Sequence, residues 1–428
     1  MRVLHYSTWK EACGIASYAD DLVGALQRLG IEGEVHPVNK ESRRNLALSE
    51  VRAELGRFCE KAEQFDLVHI QHEFSFFNDA TNSLWRSLGS FLGMLRGLHR
   101  RGKPAVVTFH TEPYFLESMG ALAKGALRDQ RNLRRHLLHF LNTRRWSKGI
   151  GGYFRGPAAP NRAIVHTRKS KRHFVECGFG TENIDVVPLG LVVRDHGRLS
   201  QDSGQAKEKL GYPRDCVLLS LFGFVAAYKG PDIAVRALQF LPPNYQLAIV
   251  GGPHPQANDL TLNTVLALAE EEPRLRGRVR VTGYVPTETL DLYHAATDIC
   301  LAPYQNTDIS GSSALTWALS SGKPVIATKI ASFLELQEQA NCLLMCTQGA
   351  AYELAWHIDR LMADPAQRKA LVENARRYLE QNSWPQIAVT TSKIYESMLS
   401  RTSGQRPLGF RTPGSSSSGT FAPRRIAA

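Results

Sequence analysis

Short apolar, β-branched runs recur along the chain, at residues 3–7, 67–71, 105–110, 163–167 and 184–189, and again at 217–224, 246–251, 279–285, 299–304, 324–330 and 342–345. They alternate with stretches of helical periodicity, among them 15–29, 231–240 and 287–296. A strand that is apolar along its whole length has to be covered on both faces, and strands alternating with helices supply that cover in parallel sheets. Two such series are present, separated near residues 194–214 by a polar stretch containing Gly and Ser that reads as a linker. The fold class expected is α/β, with two Rossmann-like doubly wound parallel-sheet domains, 1–193 and 194–383, facing across a cleft. Ligands of such sheets bind beyond the carboxyl ends of the strands, so the chemistry is expected there.

With 428 residues the chain can build more than one hydrophobic core. It holds no run of 18 apolar residues, and its first residues have neither the apolar centre nor the small-residue cleavage site of a secretory leader, so a cytoplasmic location is expected. Seven cysteines, odd in number and widely scattered, argue against a disulfide framework or a zinc site. No Asp-x-Asp element ends a strand and no His, Asp and Glu cluster has metal spacing, so neither a metal nor a resident cofactor is expected. Residues 401–428 are of low complexity and are expected to be disordered.

The net charge of +12 calls for an anionic partner. Two basic regions stand out. In the first, Leu84, Leu88, Phe91, Leu95 and Leu98 repeat at helical spacing beside Trp85, with Arg100, Arg101 and Lys103 beyond. In the second, Lys124, Arg128, Arg131, Arg134, Arg135, Arg144, Arg145, Lys148 and Arg155 are interleaved with Leu137, Leu138, Phe140, Leu141, Trp146 and Phe154. Both fit adsorption to an anionic membrane surface; a core-facing helix is the alternative for the first, and a solvated basic face or a site for an acceptor's phosphate for the second. No nucleic-acid-binding motif accompanies the charge, so nucleic acid is not expected as a partner.

The sharpest local signal is the stretch from Asp308 to Thr328, a small-residue loop opening a helix, a Gly-Lys-Pro stop and a buried strand. A helix entered through Gly311, Ser312 and Ser313 offers unpaired N–H groups and the positive end of its dipole to a phosphate; an ordinary serine N-cap is the plainer alternative.

Five segments of the second half follow one another in a set order and spacing: Leu221 to Gly230, Leu247 to Gly252, Val281 to Pro286, Leu292 to Tyr304, and Gly322 to Thr328, the end of the stretch above. With Cys13 to Leu26, Phe65 to His72 and Val106 to Thr111 in the first half, they resemble glycosyltransferase family 4 up to about residue 400. The resemblance implies the GT-B fold and a retaining transferase moving a sugar from a nucleoside-diphosphate donor to a glycan, lipid-linked or other hydroxyl acceptor. At its end, Trp384 to Leu399 implies a helix, 384–400, that crosses back to the first domain.

The resemblance also assigns residues. Lys229 is similar to the family's diphosphate lysine, and Gly311, Ser312 and Ser313 would hold the same group; a solvated lysine is the alternative for the first. Gly14 matches the glycine that lets the backbone approach the donor, with a plain helix start as its alternative. His110 matches a histidine near the transferred sugar, where it would donate a hydrogen bond to a hydroxyl; a buried structural histidine is the rival. Tyr284 and Val285 stand where the family grips the nucleobase, Glu335 is a candidate for sugar contact, and His72 and Glu73 are candidates on the acceptor side.

The pattern also departs from the family. Two glutamates eight residues apart usually flank the phosphate loop, and here their places are held by Ile309 and Trp317, with Asp308 one residue from the first. Phe224 replaces an arginine common beside the lysine motif. These losses keep open a GT-B scaffold that binds nucleotide or glycan without turnover; a nucleotide-sugar epimerase is a third reading, which the motifs fit less well than a transferase.

Overall fold

The computed structural model describes residues 1–11, 13–112, 133–191, 202–253, 260–306, 309 and 311–403, without the side chains of 133, 135, 136, 139, 287, 402 and 403. It divides into two compact units, one of Met1–Gly190 joined by the helix that begins at Trp384, the other of Leu191–Ser383.

The first unit is a six-stranded parallel sheet in the order β2-β1-β3-β4-β5-β6. Its strands are β1 Arg2–Ser7, β2 Glu32–Pro37, β3 Leu67–His72, β4 Ala105–Phe109, β5 Asn161–Val165 and β6 Ile184–Val186. Around them lie α1 Gly14–Arg28, α2 Lys40–Arg43, α3 Leu48–Lys61, α4 Leu84–Arg100, α5 Leu133–Arg144 and α6 Arg168–Glu176. Because successive strand residues point to opposite faces, Leu4 and Tyr6 join one apolar cluster with Phe58, Phe91, Phe109 and Trp146, while Val3 joins another with Tyr18, Leu22, Trp384 and Tyr395. Strand β2 was not foreseen, for a physical reason. It is an edge strand, its sequence Glu-Gly-Glu-Val-His-Pro keeps charge toward water, and it offers no continuous apolar run.

The second sheet is also parallel and six-stranded, in the order β12-β11-β10-β7-β8-β9. Its strands are β7 Val217–Phe222, β8 Tyr245–Val250, β9 Val279–Val281, β10 Ile299–Ala302, β11 Val325–Thr328 and β12 Leu343–Cys346. Its helices are α7 Ser203–Lys209, α8 Pro231–Leu238, α9 Thr261–Glu271, α10 Thr287–Ala296, α11 Ser313–Ser320, α12 Ala331–Ala340, α13 Ala351–Ala363 and α14 Pro365–Gln381. Asp364 caps α14 by accepting from the Gln367 N–H at 2.8 Å, with Pro365 at the first helical position, where its missing N–H costs nothing. The last helix, α15 Trp384–Ser403, packs on the first unit through Trp384, Ile387, Ala388 and Tyr395, and runs three residues past the expected end at 400. The rest of the tail lies outside the described residues.

Two expectations are corrected. The stretch near 194–214 is not simply a linker, because Ser203–Lys209 forms α7, held by the Asp202 side chain accepting from Gly204 N–H and by an ion pair at 2.7 Å between the buried Lys207 and the half-buried Asp298. Nor is the apolar stripe of α4 available to a membrane. Leu88, Phe91, Leu95 and Leu98 are each 1% exposed and build the first core, while Trp146 and Phe154 are wholly buried in the same cluster.

All seven cysteines are free thiols. Among the described residues, no helix is long and apolar enough to cross a membrane.

Candidate functional site

In each sheet the chain reverses its direction of winding at one place, and ligands of such sheets bind beyond the strand ends there. In the second unit that place lies between β7 and β10, which are hydrogen-bonded neighbours from which the chain builds outward in opposite directions. Residue Lys229 follows β7, and the loop to α11 follows β10.

Lys229 ends a turn of 3-10 helix, Ala227–Lys229, and Gly230 behind it adopts φ 65° before Pro231 opens α8. The left-handed turn folds the lysine back over the strand end, and it is only 4% exposed. Its ammonium lies 5.6 Å from the centre of the Phe224 ring and 5.9 Å from that of Tyr228. Among the described residues no carboxylate pairs with it, and burial pushes its pKa down to about 8. Gly223, at φ 92°, makes room for it, since a Cβ there would lie 2.5 Å from Nζ. The solvated-lysine alternative does not describe this side chain. A buried, uncompensated ammonium is costly unless an anion joins it.

Across the switch point, Ser312 caps α11, its Oγ accepting from the Leu315 N–H at 3.1 Å and lying 2.7 Å from the Tyr304 hydroxyl. The ordinary-cap alternative is therefore realised for this side chain. The N–H groups of Ser313 and Ala314, which the cap does not use, still open the helix, and no acidic residue sits in the first turn. Gly311 is half-buried and Ser313 exposed. Asp308 lies outside the described residues, so its substitution for a missing glutamate has no structural description. Ile309 packs partly buried against the core, and Trp317, 39% exposed on α11, has its ring 6.3 Å from His294.

Tyr284 follows β9, is 61% exposed, and has its ring 6.1 Å from Phe224 while its hydroxyl donates to Pro253 O. The arginine replacement Phe224 thus forms an aromatic pair with the residue expected to face a base. Val285 turns partly into the core, and Glu335 lies half-buried on α12.

In the first unit the switch lies between β1 and β3. Gly14 is exposed and starts α1, whose N-terminus has no side-chain cap and no acidic residue in its first turn. The other first-unit candidates are placed differently from expectation. His72 is fully buried among Phe74, Phe77, Phe91 and Phe109, with ring centres 4.5 to 5.3 Å away, and burial pushes its pKa down to about 3. It is a core residue, not an acceptor contact. Glu73 caps the short helix Phe74–Phe77, accepting from the Ser75 N–H at 2.7 Å. His110 follows β4, with Nε2 2.8 Å from Gln71 Oε1 and Nδ1 3.4 Å from His166 Nε2. Both ring nitrogens already meet protein groups, so donation to a sugar hydroxyl is not available in this arrangement. Sequence reasoning missed Gln71, although it lies inside the Phe65 to His72 segment, and His166, which carries no motif; they come together with His110 only through strand pairing.

Residues 205–378 match the family model described as glycosyl transferases group 1. The D-inositol 3-phosphate glycosyltransferase of Xylanimonas cellulosilytica is 27% identical over 252 residues, spanning 57% of this chain and 58% of that protein. That of Thermomonospora curvata is 24% identical over 250 residues, 56% of this chain and 57% of its own. The chain thus spans less than two thirds of the length of these curated relatives. Among solved structures, Anabaena HepE in complex with UDP superposes with a TM-score of 0.66 at 17% identity, covering 93% of this chain and all of that one. A glycosyltransferase from Rickettsia africae superposes at 0.68 with 15% identity, covering 93% and 98%. At these identities the likeness is one of fold.

Proposed function

We propose that this chain, a glycosyltransferase family 4-like protein of GT-B fold, transfers a sugar from a nucleoside-diphosphate donor to a hydroxyl acceptor with retention of anomeric configuration. The observation that carries the reading is Lys229, a buried ammonium with no carboxylate partner among the described residues, at the switch point beside the opening of α11. Breaking the anomeric C–O bond moves negative charge onto the leaving diphosphate. An ammonium fixed in a desolvated place, together with main-chain N–H groups, stabilises that charge as it forms and needs no reorganisation to do so. Lys229 compensates the diphosphate and the amides of Ser313 and Ala314 orient it, so the acceptor hydroxyl can enter on the face the diphosphate leaves. The charge that a divalent metal would supply is available from these groups, and the proposed reaction is metal-independent. The curated relatives are named for an inositol phosphate acceptor, and HepE holds UDP. The first favours a polar hydroxyl acceptor and the second a nucleotide-sugar donor; a glycan or lipid-linked acceptor, in polysaccharide or glycoconjugate synthesis, is part of the proposal.

The test is release of nucleoside diphosphate from UDP-, GDP- and ADP-sugars by the purified protein with EDTA present. Turnover that survives EDTA and is lost in Lys229→Ala is the expected result; undiminished turnover in that variant would refute the role.

A second reading is favoured by Trp317 and Ile309, neither of which can accept a hydrogen bond from a ribose hydroxyl at the positions the family gives to glutamates. A nucleotide- or glycan-binding scaffold would bind the diphosphate and release none.

The proposed location is the cytoplasm, with the first unit on the anionic inner leaflet. Helix α5 supports this placement. Its Leu137, Leu138 and Leu141 are 54%, 44% and 43% exposed, with Arg134, Arg144 and Lys148 exposed around them. Apolar residues interleaved with cations fit an interface at which each basic residue adds about 1 kcal/mol. Lys124, Arg128 and Arg131 of this region, and the side chain of Arg135, lie outside the described residues.

A further inference from the structure

Buried side chains form a continuous line of polar contacts across the first sheet. Tyr395 on α15 places its hydroxyl 2.5 Å from His69 Nδ1, and His69 Nε2 lies 2.7 Å from Thr108 Oγ1 and 3.3 Å from the Gln71 amide. That amide reaches His110 Nε2 at 2.8 Å, His110 Nδ1 reaches His166 Nε2 at 3.4 Å, and His166 Nδ1 ends the line on Val187 O at 3.0 Å. Tyr395, His69, Gln71 and Thr108 are fully buried and His166 is 7% exposed.

The terminal carbonyl fixes hydrogens along the line. A carbonyl oxygen only accepts, so His166 carries its hydrogen on Nδ1, and the bare Nε2 of a neutral ring can only accept in turn. His110 must therefore donate from Nδ1, which leaves its own Nε2 bare. What faces a bare nitrogen has to be a donor, so the Gln71 amide presents its NH2 group to His110 and its oxygen to His69. This sets Nε2 rather than Oε1 of Gln71 against His110, an exchange of the amide ends that leaves the heavy-atom distances in place. His69 then donates from Nε2 to Thr108 or Gln71, and its Nδ1 accepts from Tyr395. Each group in the line is satisfied with every imidazole neutral. With Oε1 against His110 the line instead demands hydrogens on both nitrogens of His110 or of His166. Burial disfavours such a cation at either ring, and at His110 the neighbouring His166, His69, His72 and Lys40 disfavour it further.

We infer that His166 and Gln71 are positioning residues that hold His110 as the Nδ1–H tautomer with an accepting Nε2, so that a sugar hydroxyl meeting this ring must donate to it. The inference deepens the proposed function and rests on it for the presence of a sugar at His110. It also reverses the hydrogen-bond direction expected from sequence.

The experiment is long-range nitrogen–proton NMR on the full-length protein carrying nitrogen-15 histidine, with the His110 signals identified by their loss in His110→Gln. The expected result at pH 7 is neutral His110 and His166, each with its hydrogen on Nδ1. In Gln71→Glu an acceptor-only carboxylate faces Nε2, and His110 shifts to the doubly protonated form. In His166→Phe the demand on Nδ1 disappears, and His110 moves to the Nε2–H form, donating to Gln71. Wild-type His110 found as the Nε2–H tautomer or as imidazolium would overturn the inference even if neither variant folds. His110 keeping its Nδ1 hydrogen in a folded His166→Phe would do the same. Failure to transfer any sugar would remove the proposed function while leaving the tautomer result standing, so the two can fail separately.

Discussion

Replacing Lys229 with methionine should stabilise the free protein while abolishing its response to nucleoside diphosphates. The lysine is 4% exposed, and burial takes its pKa from 10.5 to about 8. At 1.36 kcal/mol per pH unit, the gap corresponds to a cost of about 3 kcal/mol for holding the charge in the folded state. Methionine fills similar space without that charge. Because the folded pKa lies below the unfolded one, the unfolded chain binds more protons between about pH 8 and 10.5, and wild-type stability rises with pH across that window. Below pH 8 the full cost is present. At pH 7, therefore, Lys229→Met should melt higher by several degrees, since about 1 kcal/mol moves the midpoint of a unit of this size by 2–4 °C. It should also lack the wild-type rise in stability between pH 8 and 10.5. A bound diphosphate gives the wild-type ammonium its missing partner, so UDP, GDP or ADP at 100 times the dissociation constant should stabilise the wild type by about 2.7 kcal/mol and the variant scarcely at all. The assay is thermal unfolding across pH with and without the three nucleotides. A variant melting at or below the wild type without ligand would refute the burial argument, and one with an unreduced nucleotide response would refute the diphosphate role.

Phe91→Ala should cost about 3–5 kcal/mol in denaturant unfolding, because this ring of α4 is 1% exposed in the first core; a near-neutral effect would return the stripe to the surface. Ser312→Ala removes the cap of α11 and should cost about 1 kcal/mol. It should also weaken diphosphate affinity measured by calorimetry, as the loop loses its anchor to Tyr304. Leu138→Glu with Leu141→Glu should leave the melting temperature nearly unchanged, as exposed substitutions do. It should lower co-sedimentation with anionic vesicles at least tenfold, and equal binding of wild type and variant would defeat the docking surface.

The sequence showed the parts of the fold whose stability depends on uninterrupted apolar runs. Strands such as β4, β8 and β11 are buried on both faces and can be written in few other ways. Edge strand β2 alternates and carries charge, and the same residues could have made a loop. Helix α7 was hidden because its sequence is polar except at Ala206, and its burial depends on Lys207 finding Asp298, which lies far along the chain. In the second unit the candidate residues occupy short loops directly after strands, where spacing along the sequence largely determines spacing in the structure. The first-unit candidates fared otherwise. Both His72 and His110 follow or end a strand, but a shift of one residue turns a side chain to the other face of a sheet. Only the pairing with neighbouring strands decides which one meets the aromatic core and which one meets Gln71 and His166.

Each unit buries polar groups at or near the carboxyl ends of its strands. Around the second switch point this is an ammonium with no carboxylate partner among the described residues. In the first unit it is a row of neutral histidines whose hydrogens are dictated by one distant carbonyl. Neither arrangement is what burial alone would select, since apolar side chains of similar volume would leave each sheet at least as stable. The two differ in what they can tolerate. The lysine is incomplete and gains from an incoming anion, so its cost is recovered on binding. The histidine line is complete and can accept a further partner only by exchanging one it already has. A ligand at Lys229 should therefore bind with a gain in stability, and a ligand at His110 only by displacing the Gln71 amide, which makes the first a site of affinity and the second a site of selection.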